Sequence, residues 1–219
     1  LYRGERELCF LPLAHAYSCA FNFLVPMAVG AHVYLLGKVP SPKILLKAFE
    51  EVKPNLILTV PLILEKIYKK MILPQLSKTT MKVALNIPLL DSRIYAQIRK
   101  KLVDAFGGRF RDVIVGGAAM NEEVTNFLYK IKFPFTIGYG MTECGPLISY
   151  DHNDEYVPGS CGQILKGIMK VRIDSEDPYN KVGEIQVSGE NVMKGYYKNE
   201  EATSKVFTED GWLRTGDLG

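Results

Sequence analysis

Residues 8–37 contain no Asp, Glu, Lys or Arg, and no other feature of the sequence narrows the possible folds as much. A run longer than the ~20 residues of a spanning helix leaves two solutions, a membrane segment or the interior of a folded core. Pro12, His15, Asn22, Pro26, Gly30 and His32 interrupt it. A spanning helix would carry these breakers and polar groups into hydrocarbon, where each unsatisfied group is costly. The punctuation instead divides the run into a short strand, a helix and a second strand, the units of a buried α/β layer.

The same grammar continues to about residue 150. Strands are expected at 9–11, 31–36, 55–60, 112–115 and 133–137, with a helix over 17–29. Ser41-Pro42 places an N-cap residue before a proline at the first helical position, which starts a helix running to about Val52. Pro61 opens another. A helix over 91–106 ends at Gly107-Gly108, the expected C-terminal glycine. Asn121, followed by Glu122 and Glu123, caps a helix through Lys130, its acids at the positive helix end. Such alternation implies α/β architecture, a parallel sheet layered with helices.

After Tyr150 the pattern changes to short strands at Ile164, 171–173 and 184–188, separated by Gly159, Gly162, Gly167, Gly183 and Gly189. That spacing predicts a small antiparallel, β-barrel-like portion or a strongly curved sheet. The expected organisation is therefore 1–150 and 151–219, joined near 150–158. Internal repeats and low-complexity tracts are absent from the sequence.

At 47% hydrophobic and 23% charged residues the composition matches ordinary globular proteins, which excludes disorder, collagen and coiled coil. Cys9, Cys19, Cys144 and Cys161 form no CxxC pair, so four buried, reduced thiols of a cytoplasmic protein are expected rather than a zinc ribbon or disulfide scaffold. The net charge of +3 is uneven: residues 1–64 carry +2, 65–111 carry +8 and 112–219 carry −7. The basic block, with Lys66, Lys69, Lys70, Arg99, Lys100 and Lys101, reads first as a solvated helix face and second as an attractor of phosphates, nucleic acid or an anionic membrane. The chain starts at Leu1 without a leader sequence and stops on an unfinished strand-and-turn pattern, so a piece of a longer protein is expected.

Four runs carry chemistry. Gly138-Tyr139-Gly140-Met141-Thr142-Glu143 directly follows a buried strand, where open α/β sheets bind ligands. The two glycines let backbone approach a flat ligand while the tyrosine ring covers it. Thr142 can donate to a phosphate oxygen, and Glu143 suits Mg²⁺, which takes one or two carboxylates and keeps most of its waters. Gly116-Gly117-Ala118-Ala119 also lies between a strand and a helix. By itself it is a tight turn; beside the tyrosine run it becomes a second wall for a planar ring. Asp217, behind Trp212-Leu213-Arg214-Thr215-Gly216, is either a turn residue or an acceptor for two ribose hydroxyls. His15, in Leu11-Pro12-Leu13-Ala14-His15, is a structural histidine by its neighbours and a functional one by its place at a strand's end.

In order and spacing these sites resemble the adenylate-forming superfamily of acyl-CoA synthetases, luciferases and peptide-synthetase adenylation domains. The likeness covers nearly the whole chain. Residues 11–15 look like the family's PLxH motif, 116–118 like its adenine-side loop and 138–143 like its GYGxTE signature. Gly183-Glu184-Ile185 with Gly189 and Gly195-Tyr196-Tyr197 is similar to its glycine-rich barrel segment, and Trp212 to Asp217 to its Wxx(T/S)GD. Among branches, GYGMTECGPLIS and LPLAHAYS look most like long-chain fatty acid–CoA ligases.

The resemblance implies a ligase using a fatty acid, ATP and coenzyme A, through an acyl-adenylate and then a thioester. Tyr139, between Gly138 and Gly140, would stack on adenine, Gly116, Gly117 and Ala118 would line it, and Asp217 would hold the ribose. Thr142 would touch the α-phosphate and Glu143 would bind Mg²⁺, while His15 would border the acyl carboxylate and gate the thiol. The family's Ser/Thr/Gly-rich phosphate loop and its C-terminal lysine do not occur in these residues, so the chain alone is expected to be inactive. Adenylation of aryl, amino or short-chain acids, and a non-catalytic nucleotide-binding module, stay open as alternatives. No nucleic-acid partner is expected. A cytoplasmic location is expected, with weak peripheral membrane contact through the basic block as a further expectation.

Overall fold

The computed structural model describes residues 1–87 and 90–219. Five strands, β1 (Arg6–Cys9), β2 (His32–Leu35), β3 (Leu56–Thr59), β4 (Asp112–Val115) and β5 (Phe135–Ile137), form one all-parallel sheet in the order β2-β1-β3-β4-β5. Parallel neighbours need long crossovers, and the sequence supplies helices for them. In the first crossover come α1 (Ala16–Ser18), a π-helical turn (Cys19–Leu24) and α2 (Val25–Val29). Then follow α3 (Pro42–Val52), α4 (Pro61–Met71), α5 (Leu73–Leu76), α6 (Thr79–Ala84), α7 (Leu90–Ala105) and α8 (Glu122–Lys130).

Local chemistry sets several of these boundaries. The Ser41 side chain accepts from the Ile44 N–H and Asn121 from the Val124 N–H, each satisfying an orphan donor of the first helical turn. Gly107 ends α7 with a φ of +92°, and a Cβ there would stand 2.5 Å from the Phe49 carbonyl oxygen of α3. Glycine is thus what lets the two helices touch. Phe49 and Phe106 meet there with ring centroids 5.0 Å apart, and Phe110, Phe133 and Phe135 extend the same buried cluster beneath the sheet.

The second unit is an antiparallel sheet of β6 (Met169–Asp174), β7 (Glu184–Gly189) and β8 (Leu213–Leu218), with α9 (Glu200–Val206) beside it. Its core is thin: Cys144, Ile148, Met169, Val187 and Leu213. Among the described residues the expected barrel-like portion thus takes the form of a three-stranded sheet. Ile164 joins by a single bridge to Ser149.

Three expectations need correction. Of residues 9–11 only Cys9 is in a strand: β1 runs from Arg6 and ends there, its carbonyl taking the last ladder bond from Leu36 N–H, and the chain then turns away. The 17–29 helix is a composite, since Pro26 has no N–H for the Asn22 carbonyl and the chain widens to a π turn in which Val25 N–H reaches Ala20. Cys9 and Cys144 are buried, but Cys19 is half-buried and Cys161 exposed, so four buried thiols are not what the fold makes; all four are free. No helix among the described residues is long and apolar enough to cross a membrane. Lys66, Lys69, Lys70, Arg99, Lys100 and Lys101 are all exposed on α4 and α7.

Candidate active site

The register aligns Thr59, Val115 and Ile137, the carboxyl ends of β3, β4 and β5, along one edge. The turns that follow β4 and β5 must therefore emerge side by side, as ligand-binding turns of parallel sheets do. Between them and the antiparallel sheet lies a cavity of about 880 Å³, whose lining includes Gly117, Ala118, Gly138, Tyr139, Gly140 and Asp217. Six of the sequence-predicted residues thus share one space.

Its shape follows from the glycines. A Cβ on Gly140 would fall inside the Pro146 carbonyl oxygen, so this turn closes only without a side chain. Gly117, at φ +86°, has no atom nearer to a would-be Cβ than Val60 Cγ1 at 3.8 Å, and it leaves the cavity wall flat. Gly116 is placed differently: it is buried, its would-be Cβ 3.3 Å from the Tyr17 ring.

The Tyr139 hydroxyl donates to Asp217 Oδ2 at 2.7 Å, across 78 residues of sequence, and ties the parallel half to β8. Burial, with the Asp217 carboxylate beside it, holds this phenol neutral far above its usual range. Asp217 is exposed and reaches into the cavity with its carboxylate already oriented by the tyrosine.

Thr142 and Glu143 stand outside that lining, on a 3₁₀ turn (Thr142–Cys144). Thr142 is exposed and Glu143 half-buried. Glu143 Oε1 accepts from the Tyr196 hydroxyl at 2.9 Å, and its backbone carbonyl accepts from Met193 N–H at 2.7 Å. Tyr196 as a holder of Glu143 was missed from sequence; the glycine-tyrosine pair at 195–196 was the available signal. Among the described residues no three His, Cys, Asp or Glu side chains gather to cage a metal. Glu143 is a single carboxylate oriented by one hydrogen bond, a donor of the kind Mg²⁺ takes singly or in pairs. Burial and Glu143 push the Cys144 thiol up to about 11, which leaves it inert near neutral pH.

His15 borders a separate cavity of about 100 Å³, shared with Leu11, Pro12, Tyr17, Ser18, Val60 and Gly117. Its Nδ1 accepts from Tyr17 N–H at 3.2 Å, so the neutral ring carries its proton on Nε2. The Tyr17 hydroxyl donates to the Ile114 carbonyl of β4. Gly117 lines both cavities, and so the His15 turn and the glycine turn after β4 are neighbours.

The family model described as AMP-binding enzyme matches residues 2–197. Long-chain-fatty-acid–CoA ligase 1 of Saccharomyces cerevisiae is 29% identical over 98% of this chain and 34% of its own length. The 4-coumarate-CoA ligase 1 of Narcissus pseudonarcissus is 31% identical over 97% of this chain and 35% of its own. Among solved structures, ATP-bound MatB from Rhodopseudomonas palustris superposes with a TM-score of 0.73 at 23% identity, over 100% of this chain and 38% of that one. The chain thus spans about a third of the length of the relatives it matches.

Proposed function

The chain belongs to the AMP-binding enzyme family, and on that premise we propose that its gene product is an ATP-dependent ligase joining long-chain fatty acids to coenzyme A. The fatty carboxylate attacks the α-phosphate of ATP, expelling pyrophosphate and leaving an acyl-adenylate. The thiol of coenzyme A then displaces AMP. The observation that carries this reading is the Tyr139–Asp217 hydrogen bond, which closes a flat, glycine-walled cavity and leaves a carboxylate at its rim.

In this reading Tyr139 covers one face of adenine between Gly138 and Gly140, with Gly117 and Ala118 opposite and Gly116 supporting them against Tyr17. Asp217 accepts from the ribose hydroxyls, since an ionised carboxylate offers several acceptor sites. Thr142 donates to the α-phosphate, and Tyr196 keeps Glu143 aimed. Mg²⁺, when bound at Glu143, would neutralise the charge that develops as a carboxylate meets a polyanion. His15 lines the small cavity, where it borders the acyl carboxylate and gates the approach of the thiol. Fixed donors of this kind stabilise transition-state charge without reorganising.

The likeness to the yeast long-chain-fatty-acid–CoA ligase supports a long-chain acid. An aryl acid is the second reading, favoured by the 31% identity to the Narcissus enzyme. ATP–pyrophosphate exchange by the gene product against a panel of acids separates them. A long-chain acid should give the fastest exchange; preference for a coumarate-like or amino acid overturns the chain-length assignment. Glu143→Ala should slow exchange on the order of 100-fold or more, and an unchanged rate would favour a non-catalytic nucleotide-binding module.

A further inference from the structure

Beneath the turn that carries His15 lies a polar chain that the nucleotide cavity does not use. Glu7 of β1 and Asn22 of the π turn are fully buried, and Ser18 is 1% exposed. Asn22 Nδ2 donates to Glu7 Oε1 at 2.6 Å. The Ser18 hydroxyl lies 3.1 Å from Asn22 Oδ1 and 3.2 Å from the Leu11 carbonyl oxygen. The Cys9 thiol also reaches that carbonyl, at 3.7 Å, and stands 3.8 Å from Ser18 Oγ. Glu7 Oε2 is buried without a partner.

A hydroxyl has one proton, so Ser18 serves either Asn22 Oδ1 or the Leu11 carbonyl at any instant. The two ends of an asparagine amide exchange places by a half-turn. With Glu7 ionised, Asn22 must turn its NH₂ toward the carboxylate. Its oxygen then faces Ser18 and draws the hydroxyl proton away from Leu11. With Glu7 protonated, the acid O–H donates to Asn22 Oδ1 and the turned-over NH₂ donates to Ser18 Oγ. The Ser18 proton is then free to hold the Leu11 carbonyl.

We propose that Glu7, Asn22 and Ser18 form a proton-coupled relay that decides whether the Leu11 carbonyl, and with it the His15 turn, is held in place. Glu7 is here a positioning residue, acting on His15 through two intermediaries. The relay's hold on the turn stands apart from the ligase reading; its effect on turnover rests on it.

Burial raises the Glu7 carboxyl to about 8, against the opposing pull of the Asn22 hydrogen bond. The titratable groups that face it are the Tyr17 phenol and the Cys9 thiol, both raised by burial and neither charged near that pH. From β2 and β3 its register neighbours are Val33 and Leu56, which carry no charge. The turn is therefore held near neutral pH and released above about 8.

Hydrogen–deuterium exchange on the gene product from pH 6.5 to 9.5, with intrinsic base catalysis divided out, tests the relay. The amides of His15, bonded to the Pro12 carbonyl, and of Tyr17 and Cys19 should lose about tenfold protection as the pH rises through ~8, the scale of one hydrogen bond. Glu7→Gln donates as the protonated acid does and should keep full protection throughout. Ser18→Ala should lack it at both ends. A flat wild-type profile, or a Glu7→Gln profile that loosens like wild type, overturns the relay. Should Glu7→Gln fail to fold, a Ser18→Ala protein that still shows the step overturns it equally. In thioester formation, Glu7→Gln should keep its turnover above pH 8 where wild type falls. If the exchange behaves as expected but no thioester forms, the ligase reading fails and the relay stands.

Discussion

The parallel and antiparallel halves solve the same problem with unequal means. The parallel sheet is covered by helices and encloses an aromatic-rich cluster that includes Phe49, Phe106, Phe110, Phe133 and Phe135. Around the antiparallel sheet five buried side chains do this work, and polar contacts do the rest, such as Arg172 paired with Asp210 and stacked over Trp212. Apolar burial contributes roughly 1.5–3 kcal/mol per large side chain, whereas exposed ion pairs contribute little. The cavity lies between the two, one wall on a rigid sheet edge and the other on a lightly held flap. For the proposed nucleotide, such a division suits entry and exit, because low local stability is where opening occurs.

The contrast can be broken first in the cores. Phe49→Ala should cost ~3–5 kcal/mol and lower the denaturation midpoint of the whole parallel half. Leu213→Ala should cost a comparable amount but confine it: exchange should rise in β6, β7 and β8 while β3 and β4 stay protected. Global unfolding by Leu213→Ala would show that the halves form one cooperative unit.

An effect no larger than these comes from pH. Glu7 titrates at about 8 in the fold, against an ordinary value near 4.5. Between those values the native state keeps a proton that the unfolded chain has lost, so stability falls as pH rises, by at most ~1.4 kcal/mol per unit. Denaturant midpoints measured from pH 5 to 8 should drift downward in wild type and stay level in Glu7→Gln. Smaller still is Tyr139→Phe, which removes the link to Asp217. Losing that hydrogen bond should cost ~1 kcal/mol, weaken AMP binding in calorimetry about tenfold and leave the Phe49 core untouched. Undiminished binding would mean that the flap is held by packing alone.

Much of the framework was legible because its causes are local. Ser41-Pro42 starts α3 and Asn121 caps α8 by bonds three residues away. The strand expected from Asp112 to Val115 is a strand in the structure. What stayed hidden was of two kinds. The short helices α5 and α6 and the π turn carry no periodicity long enough to read, and the π turn follows from a proline's missing N–H meeting a buried asparagine. Glu7 lies in none of the expected strands, yet it stands in β1, fully buried against Asn22.

By itself, then, the sequence determined the strand-helix alternation, the glycine turns at 116–117 and 138–140, and hence which residue types gather at one sheet edge. Only the tertiary structure decided that Tyr139 meets Asp217, 78 residues later, and that Tyr196 holds Glu143 from 53 residues away. The reason is physical. Caps and turns are settled by groups a few residues apart, whereas such pairs exist only after both sheets have packed and brought distant segments within hydrogen-bond reach.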